Sequence, residues 1–288
     1  MTQAHSGYYV PHQTHWPIVG SIGMFVLFAG TAALLNGADI GLTLMGVGAI
    51  ITVLMLVGWF GTVIRENQQG MYHAQEDMSF RWGMGWFIFS EVMFFAAFFG
   101  ALFYARVLSV PWLGGAAPEE WTHRLIWEGF TAGWPTNGPA GIGGSYEAMP
   151  AWGLPALNTL ILLSSGVTIT IAHWGIKQQS RLKIIGGLAA TVALGLLFVA
   201  LQAFEYVEAY KHMNLTLETG IYGSTFYMLT GFHGLHVTLG AIILLVMLGR
   251  AIAGHFTPHN HFAFEAAAWY WHFVDVVWLG LFIFVYWL

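Results

Sequence analysis

Seven stretches of about twenty mostly apolar residues constrain this chain more than any other feature. They fall at 16–35, 41–64, 82–107, 153–176, 184–205, 222–249 and 266–288. At ~1.5 Å per helical residue, each is long enough to cross a hydrocarbon layer ~30 Å thick. Within such a layer every backbone polar group has to find a partner in the protein, and a helix satisfies its own. Composition agrees: the chain is 57% hydrophobic and 8% charged, against roughly 25% charged in soluble domains. The predicted fold class is therefore all-α, an integral membrane protein of seven transmembrane helices. Trp16, Trp59, Trp82, Trp152, Trp174, Tyr206, Tyr222, Trp269 and Trp287 mark segment ends as an interfacial aromatic belt.

The connections divide the chain. Asn36-Gly37-Ala38-Asp39 is too short for anything but an antiparallel turn, so residues 1–64 read as a tail followed by a two-helix bundle. A polar loop at 65–81 separates it from a five-helix bundle at 82–288, within which 108–152 reads as an irregular, Gly- and Pro-rich outer loop. The basic residues orient the chain. With the N-terminus inside, Arg65, Arg81, Lys177, Arg181, Lys183 and Arg250 lie inside, and Arg106, Arg124 and Lys211 outside. A hormone-receptor-like topology would be inverted, and no lysine lies inside a span to form a retinal Schiff base. The polar start, without Lys or Arg up to residue 15, does not resemble a cleaved signal. The absence of cysteine excludes disulfides, thiolate metal sites and covalent c-type haem. A net charge of −5 without a basic run does not suggest nucleic-acid binding.

Three groups of residues could carry chemistry. Glu91 lies about ten residues (~15 Å) into the third segment, and Phe87, Phe94, Phe95, Phe98 and Phe99 share its helical face. An ionised carboxylate there is poorly solvated, so a neutral acid is expected, either as a proton relay or hydrogen-bonded within the bundle. His233 and His236 share a face as two metal or haem ligands would; His272 and Asp275 repeat the spacing, and His173 lies near the end of the fourth segment. Gly231 and Gly234 beside them fit close helix packing equally, and His272 and Asp275 most simply satisfy each other. Near the inner surface, Arg65, Glu66 and His73, with Arg250, His255, Thr257, His259 and His261, form either a lipid-phosphate site or a solvated rim.

At these residues the sequence resembles subunit III of the haem-copper cytochrome c oxidases. The likeness is carried by residues 218–288, with HGLH at 233–236 and FEAAAWYWHFVDVVW at 264–278, and by VIRE at 63–66, FSEVMFF at 89–95 after Arg81, LPALNTLILLSSGVTITIAH at 154–173 and QAFEYVE at 202–208. The first segment, Gly61-Thr62 and the extended loop 108–152 depart from the family pattern. The resemblance implies an accessory subunit of a proton-pumping oxidase that oxidises cytochrome c and reduces oxygen to water. Haems and copper then reside in subunits I and II, the partners, and this chain holds no cofactor of its own beyond bound phospholipids. It further implies a two-helix and a five-helix bundle around a lipid-filled cleft, with Arg65, Glu66, His73, Arg250, His255 and Thr257 at the lipid head groups. Such a subunit steadies subunit I, supports proton uptake and offers oxygen a route through the cleft. On the proton-uptake side the count of extramembrane histidines is high: His5, His12, His15, His73, His255, His259 and His261, against His123 and His212 outside. With Glu66, Glu76, Asp77 and Glu265 they suggest a proton-collecting surface, the alternative being ordinary head-group and subunit contacts. Loop length favours a bacterial cytoplasmic membrane over a mitochondrial inner membrane. A secondary transporter would need inverted repeats and broken helices, which the sequence lacks.

Overall fold

The computed structural model describes residues 13–116 and 121–288, and among these every regular element is helical. Among the described residues, seven helices are long and apolar enough to span a membrane. They are α1 (Trp16–Leu35), α2 (Gly41–Gln68), α3 (Ala74–Phe103), α4 (Leu154–Lys177), α5 (Arg181–His212), α6 (Gly220–Ile252) and α7 (Phe262–Leu281). By internal packing the chain forms two compact units, Met1–Trp82 and Gly83–Leu288.

The helices run past the apolar segments, and two of the expected loops are shorter for it. Most of the loop placed at 65–81 is helix: α2 continues to Gln68 and α3 begins at Ala74. Polar residues end these helices rather than interrupt them. Glu76 and Asp77 occupy the first turn of α3, where the helix dipole favours acids. Arg81 pairs with Asp77 one turn away at 2.7 Å. The loop placed at 108–152 also starts late. After α3 the chain passes through a π-helical turn, Tyr104–Ser109, and a helical turn, Val110–Leu113. Pro111 lacks the amide that would continue an α-helical ladder, and the wider turn forms just before it, with Val110 N–H donating to Ala105 O. A short helix, Trp121–Ile126, interrupts the rest of the loop. A second π turn, Phe282–Trp287, follows α7.

In the first unit, α1 and α2 form a hairpin. Gly37 takes φ +76° as α1 ends, with Ala38 N–H donating to Ala33 O and Gly37 N–H to Leu34 O, the paired bonds of a Schellman turn. The residues buried between the helices are glycines: Gly23 and Gly30 on α1, Gly41 and Gly48 on α2. A Cβ on Gly30 would collide with the backbone at Met45, and one on Gly48 with that of Leu27. In lipid, where apolar area alone does not drive helices together, such close backbone approach is what packs them.

In the second unit, α4 to α7 pack around two tryptophans of α7. Trp271 Nε1 donates to Ser165 Oγ at 2.8 Å and Trp278 Nε1 to Thr159 Oγ1 at 2.9 Å, two turns apart, tying α7 to α4. The Trp271 ring fills the space left by Gly195 on α5 and Gly240 on α6, so one side chain meets three helices. Hydroxyl pairs join the remaining neighbours: Thr168 to Thr191 at 2.8 Å and Tyr206 to Thr230 at 2.6 Å. The part of α3 in this unit packs through aromatic rings, Phe94 and Phe98 on Phe232 of α6 and Phe95 on Phe273 of α7. The loop before α4 is pinned to the α5–α6 connection by Asn214 Nδ2, which donates to Gly143 O and Ser145 O. Tyr146 stacks on Tyr222 there, and burial raises its phenol above the usual range.

Candidate functional site

Glu91 meets a partner on another helix. Its Oε2 lies 2.9 Å from His236 Nε2 on α6, while His236 Nδ1 lies 2.6 Å from Phe232 O. Rings of Phe94, Phe95 and Tyr270 surround the imidazole. Glu91 remains near the middle of the long third span, Ala74–Leu113. His233, three residues earlier, faces elsewhere: its Nε2 is 3.2 Å from Val274 O, and its ring packs on Trp278. The two histidines expected to share a ligand face are thus divided between α3 and α7. Both rings already have a protein partner. His272 and Asp275 do approach each other, at 3.4 Å.

The inner-surface residues fall into two sets, one in each unit. In the first unit, Arg65 is exposed with Nε donating to Gly61 O, and Glu66 accepts from Tyr72 OH at 2.6 Å. His73 is exposed, its backbone N–H held by Glu76 at 2.8 Å. In the second unit, a Schellman turn closes α6: Gly254 takes φ +78° and His255 N–H donates to Arg250 O at 3.0 Å. That turn sets Arg250 and His255 together. Arg250 is 8% exposed with its guanidinium 4.9 Å from the Phe256 ring centre, and its Nε has no hydrogen-bond partner. His255 Nδ1 is likewise buried without one. Thr257 is exposed in a turn closed by Asn260 N–H at 3.1 Å from Thr257 Oγ1.

Of the histidines assigned to a proton-collecting face, His15, His73 and His259 are exposed and His255 is half-buried. His261 differs from that expectation. Its side chain is 9% exposed and its Nε2 lies 3.1 Å from Glu265, because it sits where the chain enters α7. His5 and His12 lie outside the described residues.

One polar group was not anticipated. Glu205, 1% exposed on α5, accepts from Tyr286 OH at 2.7 Å and from Gln202 Nε2 at 3.3 Å. The apolar segment was ended at this residue, which placed it at the membrane surface. The structure carries α5 on to His212. The i, i+3 spacing of Gln202 and Glu205 was the available signal.

Comparison with known proteins agrees with the resemblance read from the sequence. The family described as cytochrome c oxidase subunit III matches residues 5–125 and 129–288. A protein named cytochrome c oxidase subunit 3 from Formosania lacustris is 42% identical over 286 residues, covering 99% of this chain and 98% of the relative. The same figures hold for the one from Cyprinus carpio. That from Drosophila yakuba is 41% identical over 287 residues with the same coverage. On a match that runs almost from end to end, the chain belongs to the cytochrome c oxidase subunit III family.

Proposed function

We propose that this chain is the accessory, non-catalytic third subunit of a haem-copper cytochrome c oxidase, which binds structural phospholipid and supports proton uptake by its partners. The observation that carries the accessory reading is the enclosure of the two α6 histidines among protein partners. His236 is held at both nitrogens by Glu91 and Phe232 O, and His233, on Val274 O, is wholly enclosed between Phe198 and Trp278, so neither ring is open to a haem iron. Haem and copper then belong to subunits I and II, with subunit I the main contact.

Lipid binding is supported by Arg250 and His255 at the turn that closes α6, where Arg250 Nε and His255 Nδ1 are buried atoms lacking partners. Buried donors without acceptors are costly, and a phosphate oxygen would satisfy them with charge assistance. Exposed Arg65, His73 and Thr257, with Glu66, would supply further head-group contacts. The exposed histidines on the same predicted side, His15, His73 and His259, would form part of a proton-collecting surface that feeds the uptake path.

The test is to purify the full chain through a tag in mild detergent and identify what accompanies it. Haem-bearing oxidase subunits should copurify, and the chain stripped of them should show no Soret band. Haem bound to the isolated chain and lost in His236→Ala would overturn the reading.

A further inference from the structure

At the end of the second unit that carries Arg181 and Arg250, three side chains from α4, the α6–α7 connection and α7 converge. They are His173, His261 and Glu265, whose donor atoms all lie within 4.8 Å of one another. We propose that these three residues form a binding site for a divalent cation of the zinc class, with water completing the coordination.

The donor set is the first reason. Two imidazole nitrogens and one carboxylate oxygen suit Zn²⁺, which takes three protein ligands and a water in its open tetrahedral sites. Distance is the second. With bonds of ~2.0–2.1 Å, ligand atoms around tetrahedral zinc stand about 3.3 Å apart. Glu265 Oε1 is already 3.1 Å from His261 Nε2 and 3.4 Å from His173 Nε2. Only the edge between the two histidines has to shorten, from at most 4.8 Å.

Tautomer is the third reason. His261 Nδ1 lies 3.0 Å from Thr257 O, a carbonyl that can only accept. The ring therefore carries its proton on Nδ1 and turns the Nε2 lone pair towards Glu265. A backbone carbonyl on the far nitrogen is the usual support of a metal-bound imidazole. The fourth reason is what the site lacks. Nε2 of both His173 and His261 is buried with no hydrogen bond, although the side chains are only 25% and 9% exposed. Two ring nitrogens thus face one carboxylate oxygen. His261 Nε2, its ring proton being on Nδ1, and the Glu265 oxygen are both acceptors, and such a pair does not stand 3.1 Å apart without a positive species beside it. A single proton would bridge one pair, whereas a divalent cation satisfies all three atoms. Lys177, one turn beyond His173 on α4, opposes both an imidazolium and a metal, and the Glu265 carboxylate offsets it. Packing holds the set in place: the His173 ring lies 5.5 Å from that of His261 and 5.7 Å from buried Phe264. A cation here would clamp the end of α4 to the start of α7.

The site stands apart from the oxidase role, since binding is read on the chain itself. Full-length protein carrying a histidine-free tag is titrated in detergent with Co²⁺, whose tetrahedral complexes absorb strongly in the visible. One equivalent should give those bands and be displaced by one equivalent of Zn²⁺. Glu265→Gln and His173→Gln should each weaken binding at least about tenfold, with the helical signal retained, while exposed His212→Gln leaves it unchanged. X-ray absorption of the Zn²⁺-loaded parent, which needs no variant, should find two imidazoles and oxygen ligands at ~2.0–2.1 Å. Fewer than two imidazoles, equal binding in Glu265→Gln and His173→Gln, or equal loss in His212→Gln would overturn the assignment.

Discussion

His236 Nε2 and Glu91 Oε2 stand 2.9 Å apart, and this contact joins α6 to α3 among aromatic rings. Because His236 Nδ1 donates to Phe232 O, a contact this short between a ring nitrogen and a carboxyl oxygen holds a proton between them. Whichever atom carries it, the pair is neutral overall, which is how an ionisable couple is tolerated at this depth. Glu91→Gln keeps a donor facing the ring and should change the thermal midpoint little. Glu91→Leu leaves Nε2 without a partner and should cost about 1–3 kcal/mol. Adding His236→Leu to it should cost less than the sum of the two single changes. Unfolding of the chain in detergent, followed by its helical signal, decides the matter; strict additivity would mean that the contact contributes nothing.

Trp271 should be the most sensitive core position. Trp271→Ala empties the space shared by Ser165, Gly195 and Gly240, at a cost of roughly 3–5 kcal/mol. Ser165→Ala removes only the acceptor and should cost about 1 kcal/mol. The same unfolding measurement ranks them.

Arg250→Ala combined with His255→Ala should lower tightly bound phospholipid per complex, as counted by native mass spectrometry. The active lifetime of the oxidase during turnover should shorten more than its initial rate falls. Unchanged lipid counts would remove these two residues from the proposed clamp.

A proton-collecting surface matters most where free protons are scarce. Replacing His15, His73 and His259 by Gln should therefore slow oxidase turnover chiefly above about pH 7.5, with little effect near pH 6. A pH–rate profile identical to the parent's would end the proton-collecting proposal.

With no cysteine in the chain, orientation can be mapped with single introduced thiols. Lys183→Cys should label from the side that holds the N-terminus and Glu147→Cys from the opposite side. The reverse pattern would invert the N-inside topology.

The seven spans were legible because lipid demands long apolar runs, and those runs survive in sequence without reference to any partner. Their ends were harder to place. Residues 65–68 are polar and 74–81 largely so, yet both are helical, since a helix can leave the hydrocarbon and satisfy its last turns in the interfacial region. Glu91 was conspicuous by depth, yet its partner lies 145 residues away on α6, and spacing on one helix carries no information about a contact between two. The same holds for His173, His261 and Glu265, which lie on elements that meet only after α4 to α7 have packed. Glu205 was missed for a local reason: a charged residue after an apolar run reads as the end of a span, whether it is the interface or a buried acid held by Tyr286.

The position of Trp271 also bears on the order in which this protein can be completed. Three helices made earlier, α4, α5 and α6, carry Ser165, Gly195 and Gly240 around a slot that none of them fills. The side chain that occupies it arrives on α7, which leaves the ribosome after all three. Until then the bundle holds an unfilled seam, with Ser165 Oγ bonded to Leu162 O in its own helix and to no indole, so the tertiary locking of α4 to α6 waits on the arrival of α7.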